Sequence, residues 1–497
     1  MLYPISYSIY WLTGIPESTA RLLLTVILGY VAAFYYDKLY IHHPNDKINQ
    51  SKYQPTASDR NTFILITGLL LSVSFSGWTV IHSLVTTALS YGICLFVGES
   101  LQNRVAACAL VWVTNAIYLL GGYYYMATDE YDISWTMPQC ILCLRLMGFG
   151  FDYMDGGNKV NSKPGTTVSN NSLPMSFDID TPLYTLPPFE QVMAYCYFPA
   201  AFLVGPQFSF SLYRRWVDNP NFLGKTVTDW DETYKAQRRY MVRCLLLAIF
   251  YLGMQQLVGA SYPSSYLLTS EYQQLPFLRR CWTFLVTGKF IYNKYLGIWL
   301  LTEGACALFG ITYDGEDEEG NAKFGGLANT LPLQYETATT IDDVIGSFNI
   351  NTNLWTKYYV FKRLKWFGNK SLSQGASLFF LAVWHGFHFN YFTTFSLEFL
   401  YTQCESVLRR HLMPVVTPLI SKNSIYRCIW KGLAWMTCSM TLNYAVVGFD
   451  LLQTSKAWTA YRSVYFIGHL LIPLILVSDK MLPKKHMVRT NKNKKVE

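Results

Sequence analysis

The chain has 497 residues, 51% hydrophobic and only 14% charged, where an ordinary soluble protein is about a quarter charged. That balance excludes a soluble globular protein and points to a polytopic membrane protein, with 37 Tyr and 14 Trp to supply interfacial belts. The net charge of +8 is concentrated at one end: Lys480, Lys484, Lys485, Arg489, Lys492, Lys494 and Lys495 form a basic tail over 480–497, which the positive-inside rule puts in the cytosol.

In chain order, apolar runs fall at roughly 18–36, 62–78, 80–97, 105–126, 135–153, 189–206, 240–260, 278–310, 374–400, 428–450 and 460–478, about ten or eleven spans. The fold expected is an all-α transmembrane bundle. No cleavable signal peptide is evident, so the first run is expected to be retained. Several runs carry charges, Arg145 and Asp152 in the fifth, Lys289 and Lys294 in the eighth. Broken or re-entrant helices persist at membrane depth only where protein encloses them or they line a cavity, so these interruptions suggest an internal chamber. Asp152 and Asp155 are expected either to pair with Arg145 or to line a lipid entrance. Gln207, after Gly205-Pro206, reads as a polar lining residue or as the neighbour of a helix breaker.

Two polar stretches, 155–188 and 313–347, read as surface loops, the second with the acidic cluster Glu316-Asp317-Glu318-Glu319. Asn49, Asn170 and Asn369 open glycosylation sequons, each more readily read as a chance match. No internal repeat is present, and the chain reads as one membrane domain over 1–497. The eleven cysteines include a single CxxC, Cys140 and Cys143, without a second pair or a nearby histidine, so they read as packing residues with no zinc site or disulfide framework.

From 341 onward the character changes. Phe348-Asn349-Ile350-Asn351-Thr352-Asn353-Leu354-Trp355 is Asn-rich, and the segment from Lys357-Tyr358 through Lys362, Arg363, Lys365 and Trp366 is basic and aromatic. Such a segment suits either an interfacial helix on anionic head groups or a wall that grips the phosphates and base of an adenine nucleotide. Trp384-His385-Gly386-Phe387-His388 then sets a histidine within an apolar run. Imidazole exchanges protons near neutral pH, and an ionisable group inside a bilayer is costly enough to be read as functional. His388, three residues on, is expected on the same helical face as His385, as a packing partner or one half of a metal pair. The remaining histidines supply no further metal box, His-Glu-x-x-His is absent, and no histidine has an aspartate five positions later.

The Asn349 block, the basic segment and Trp384-His385-Gly386 together resemble the catalytic core of the membrane-bound O-acyltransferase family, within it most of all the lysophosphatidylcholine acyltransferases. Arg145 through Gly157, Phe202 through Ser209 and the Lys494-Lys495-Val496-Glu497 end strengthen the resemblance, which runs from about residue 90 to the C-terminus. Where relatives often carry Gly-Tyr after the Trp-His-Gly, this chain has Asn390-Tyr391.

The resemblance implies transfer of an acyl chain from acyl-CoA to the free hydroxyl of a lysophospholipid. His385 would act as base and Asn349 either as oxyanion donor or as the group holding the tautomer of His385. The catalytic core would cover about 341–400, with Asn353, Trp355, Lys357, Tyr358, Lys362, Arg363, Lys365, Trp384, His388, Tyr391, Arg145, Asp152 and Gln207 as substrate-binding candidates. Coenzyme A leaves as a stable thiolate, so no metal or cofactor is expected beyond acyl-CoA as co-substrate. The partners expected are acyl-CoA, lysophospholipid and membrane lipid, with no nucleic acid. Lys494-Lys495 matches the dilysine signal read by the retrieval machinery of the endoplasmic reticulum, giving a multi-pass reticulum protein. The alternatives are the same fold acting on another lipid or a protein acceptor, and a proton-coupled transporter, which the absence of repeats disfavours.

Overall fold

Capping side chains, glycines and prolines set where the helices start and stop. A computed structural model describes residues 2–41, 55–126, 133–157, 181–219, 221, 227 and 229–481, and helices dominate them. Thr56 and Asp59 form a capping box that opens Ala57–Ser76, and Asp229 accepts from the Glu232 amide to open Trp230–Leu257. The only paired strands among the described residues are Gly315–Glu316 and Ala322–Lys323, a short antiparallel hairpin in the expected 313–347 loop. Its turn is tied by Asp317, whose carboxylate accepts from the Glu319 and Asn321 amides.

Polar groups lie inside and apolar ones outside, as a bilayer demands. Arg145, Asp152, Gln207, Asn115, Glu303 and Asn351 are buried, whereas Ile66, Leu70, Leu246, Ile249, Phe250, Leu474 and Val477 are exposed. The all-α membrane bundle is as expected, but the apolar runs are distributed differently. Among the described residues, Glu17–Tyr40, Ala57–Ser100, Arg104–Met126 and Trp230–Leu268 are long and apolar enough to cross a membrane. The pair Thr454–Ser463 and Ile467–Met481, bent by 77°, is apolar enough only when taken together, as a broken span or a re-entrant loop. The runs expected at 62–78 and 80–97 lie in one stretch, Ala57–Ser100, turned at Gly77 with φ +59°.

Three further expectations are corrected. Lys289 and Lys294 do not interrupt their run: Phe277–Leu308 is one helix of 32 residues, because each lysine meets a carboxylate, Lys289 that of Glu336 and Lys294 that of Asp450. The run expected at 189–206 is not a span. Phe189–Cys196 is a helix of 8 residues, followed by buried turns that lead to the next helix, Phe210–Asp218. The run expected at 374–400 is two helices, Lys370–His385 and Phe389–Lys422, parted by Gly386 at φ +127°.

Candidate active site

The site is built on Thr136–Gly157, a helix buried along most of its length. Three tryptophan side chains from elsewhere donate their indole N–H to its carbonyls: Trp384 to Cys140 at 3.0 Å, Trp355 to Leu144 at 3.0 Å and Trp112 to Met147 at 3.0 Å. Residues 140, 144 and 147 share one helical face, so the three indoles dock in a row. Trp112 and Phe380 each stack on Trp355 and lie tilted to one another, with centroids 5.6 to 6.0 Å apart. In this way the helix that follows Asn349 and the helix that ends at His385 are anchored one turn apart on a common support.

His385 is the last residue of Lys370–His385. Its imidazole sits in an aromatic wall, 5.5 Å from Tyr391, 5.5 Å from Phe395, nearly parallel to it, and 5.0 Å from Phe449, edge to face. It makes no hydrogen bond among the described residues. The helix stops here because Gly386 takes a φ that side chains rarely adopt. The same break corrects the expected pairing with His388, which precedes Phe389–Lys422 and therefore does not share a helical face with His385. The His388 ring stands at right angles to Tyr391, centroids 5.7 Å apart. Asn390 points away, its amide donating to the Gln453 carbonyl at 3.0 Å.

Asn349 precedes the short helix Ile350–Thr356 in a left-handed conformation, φ +49° and ψ +43°, a region that asparagine tolerates better than most side chains. Hydrogen bonds on both sides hold it there. Asn353 donates to the Ile345 and Phe348 carbonyls at 3.1 and 2.9 Å. The Ile350 amide bonds to the Asn329 carbonyl, and the Asn351 side-chain amide donates to Leu327, Ala328 and Asn329. Asn329 is held in turn by Glu303, which accepts its backbone amide at 3.0 Å and the Tyr240 hydroxyl at 2.6 Å. The Asn349 side chain itself makes no hydrogen bond among the described residues, to His385 or to any other group.

The basic segment changes pitch as it runs, from Ile350–Thr356 through a wide turn at Lys357–Phe361 to a tight one at Lys362–Phe367. Wide helical turns of this kind recur at functional sites. Lys357, Lys362 and Lys365 are exposed and form no ion pair among the described residues, and Lys362 lies 3.6 Å over the Tyr358 ring. Partial desolvation, followed by the repulsion of Lys357 and Lys365, lowers the Lys362 pKa. Arg363 differs: it forms a bidentate pair with Asp155 and lies 3.9 Å over Phe151.

Two expected lining residues are instead buried supports. Arg145, 1% exposed, donates to the carbonyls of Tyr195, Cys196 and Ala201 at 2.7 to 3.1 Å and lies against the Tyr195 and Phe208 rings. Its expected ion pair with Asp152 or Asp155 does not form, since the last carbonyls of Phe189–Cys196 and the turn after it occupy the guanidinium. Gln207, 2% exposed, donates to the Ile141 carbonyl, and Asp152 accepts the Tyr359 hydroxyl at 2.7 Å. Trp355 and Tyr391 are buried wall residues. Asn369 spends its side chain capping Lys370–His385. The sequons at Asn49 and Asn170 and the Lys494-Lys495 end lie outside the described residues. All eleven cysteines are free, and among the described residues no three His, Cys, Asp or Glu side chains are grouped to hold a metal ion. A cavity of about 620 Å³ between the later helices is lined by none of the expected site residues.

Sequence reasoning missed Glu303, Asn329, Phe395 and Phe449. Phe395 was within reach, lying one turn from Tyr391, but nothing local marks the others.

A family model for the membrane-bound O-acyltransferases matches residues 120–448, a region that contains Thr136–Gly157, Trp355, Trp384, Asn349 and His385. The chain belongs to this family. It is similar to human lysophospholipid acyltransferase 5, 34% identical over 496 residues that cover 97% of this chain and 93% of the relative. The Drosophila melanogaster protein of the same name is 33% identical over 92% of this chain and 85% of the relative. A Schizosaccharomyces pombe lysophospholipid acyltransferase is 26% identical over 84% and 80%.

Proposed function

We propose that this protein transfers a fatty acyl chain from acyl-CoA to the free hydroxyl of a lysophospholipid. The near-full-length likeness to relatives of that name carries the reading, and the chemistry of the site supports it. The unprotonated nitrogen of His385 takes the hydroxyl proton while the oxygen attacks the thioester carbonyl. The tetrahedral oxyanion then collapses, the carbon–sulfur bond breaks and the proton leaves with the coenzyme A thiol. His385 stands at a helix C-terminus, whose negative end favours the imidazolium formed midway by about 0.3–2 kcal/mol. The aromatic wall keeps water away and so disfavours hydrolysis of the thioester.

Asn349 is the oxyanion donor in this reading. The absence of a hydrogen bond between Asn349 and His385 among the described residues supports that role over holding the tautomer, and the polar cradle leaves the amide free to donate. Lys357, Lys362 and Lys365 receive the phosphates of acyl-CoA, with Tyr358 and Trp366 beside them. Arg363 shapes that surface through Asp155. The protein works in the endoplasmic reticulum membrane, with its C-terminus cytosolic and Lys494-Lys495 as the retrieval signal. The deciding experiment incubates membranes holding the protein with radiolabelled acyl-CoA and a panel of lysolipids. Acylation well above that of a His385→Ala control is expected; acylation no higher than that control overturns the reading.

A further inference from the structure

A helix leaves its first amides without partners, and the residue before it usually takes an extended conformation and accepts one of them with its own side chain. Asparagine is among the best residues for that task. Asn349 stands in the capping position of Ile350–Thr356 and does not perform it: its backbone is left-handed and its side chain caps nothing. The task falls to a residue from another segment. Thr330 and Phe348 form an antiparallel bridge, and the Leu331 amide donates to the Ser347 carbonyl at 2.9 Å, which brings Asn329 beside the start of the helix. The Asn329 carbonyl accepts the Ile350 amide at 3.0 Å. Its side-chain oxygen accepts the Asn351 amide at 3.1 Å and the Asn351 side chain at 3.2 Å.

Glu303 fixes this cap from the helix Phe277–Leu308. It is 1% exposed, and both of its oxygens are used: one accepts the Asn329 amide at 3.0 Å, the other the Tyr240 hydroxyl at 2.6 Å and the Cys244 thiol at 3.6 Å. Asn329 is buried as well, so its amide is bound to the carboxylate and its two oxygens to the helix start. Asn351 is also buried, and without the cap its amide would lose its partner at a cost. The adjacent group able to accept it is the Asn349 side chain, which would then be turned to the helix and lost to the oxyanion.

We propose that Asn329, held by Glu303, is a positioning residue that caps the Asn349 helix from a separate segment and so keeps the Asn349 amide free for the oxyanion. This rests on the acyl-transfer reading above and on the donor role it gives Asn349. The enzyme in native membranes is assayed with one acyl-CoA and a choline lysolipid. Asn329→Leu, close in size and without an acceptor, is made in the unaltered enzyme and in Asn349→Gly. In the first, kcat is expected to fall roughly 10- to 100-fold with KM for both substrates unchanged. In the second no further fall is expected, because the side chain that Asn329 serves is already gone. Glu303→Gln keeps an acceptor for the Asn329 amide and should retain most of the kcat that Glu303→Ala loses. Equal fractional losses in the two backgrounds, an unchanged kcat, a rise in KM alone, or Glu303→Gln no better than Glu303→Ala overturns the assignment. Should Asn329→Leu not fold, Asn329→Ser, which keeps a hydroxyl in the buried space, is read by the same comparison of backgrounds, and equal losses again overturn it. No acylation by the unaltered enzyme overturns the acyl-transfer reading and this role with it, whereas equal losses overturn this role alone.

Discussion

The two walls of the site are made from opposite materials. Asn349 sits in a cradle of hydrogen bonds that runs through Asn353, Asn351 and Asn329 to Glu303, whereas His385 sits among Tyr391, Phe395 and Phe449 and bonds to none of them. The cradle must be polar because it holds a left-handed backbone turn inside the protein, where each unpaired amide or carbonyl costs about 1–3 kcal/mol. The histidine wall must be apolar because a hydrogen-bonded imidazole would already have spent the nitrogen it needs. Both walls leave the functional atoms unengaged, one by tying up the neighbouring side-chain amides and the other by supplying no polar group.

The contrast is broken most severely at the base. His385→Ala should lower acyl transfer by roughly 10²–10⁴ while the thermal unfolding of the detergent-solubilised protein changes little, because the lost ring made only van der Waals contacts. Retained turnover would remove it from the chemistry. Asn349→Gly keeps the left-handed turn without strain and removes only the amide. A loss of roughly 10²–10³ in kcat with an unchanged melting temperature is expected, and full activity would leave Asn349 a turn residue. Asn351→Ala attacks the cradle itself: it strands the Leu327 and Ala328 carbonyls, so a stability loss of about 1–3 kcal/mol should accompany the fall in activity, read by thermal unfolding. The smallest effect is expected at the rim. Replacing Lys357, Lys362 and Lys365 by Gln should raise KM for acyl-CoA severalfold more than KM for the lysolipid, and raised salt should mimic it in the unaltered enzyme because exposed charges are screened. An equal change in both constants would return these lysines to the lipid surface.

Lys362 and Arg363 show where reading along the chain stops. They are adjacent and alike in charge, yet Lys362 is free to meet a substrate and Arg363 is bound to Asp155, some two hundred positions earlier. Arg145 likewise reads as the natural partner of Asp152 two helix turns away, but the guanidinium meets carbonyls of Tyr195, Cys196 and Ala201 that no local pattern announces. Lys289 and Lys294 look like helix breakers until their distant carboxylates are in place.

Composition alone determined the membrane bundle, because a chain this apolar cannot be hydrated. The residue types and spacing around Asn349 and His385 carried the likeness to the acyltransferases, because proton transfer and oxyanion binding require particular side chains whatever surrounds them. Tertiary structure decided everything that depends on a partner far along the chain: which cations are neutralised, which runs stay helical, what holds Asn349 in its turn, and that the break at Gly386 takes His388 off the helix of His385. The physical reason is the low dielectric of the interior, where a polar group must find a partner, and packing rather than sequence proximity determines which one is near enough.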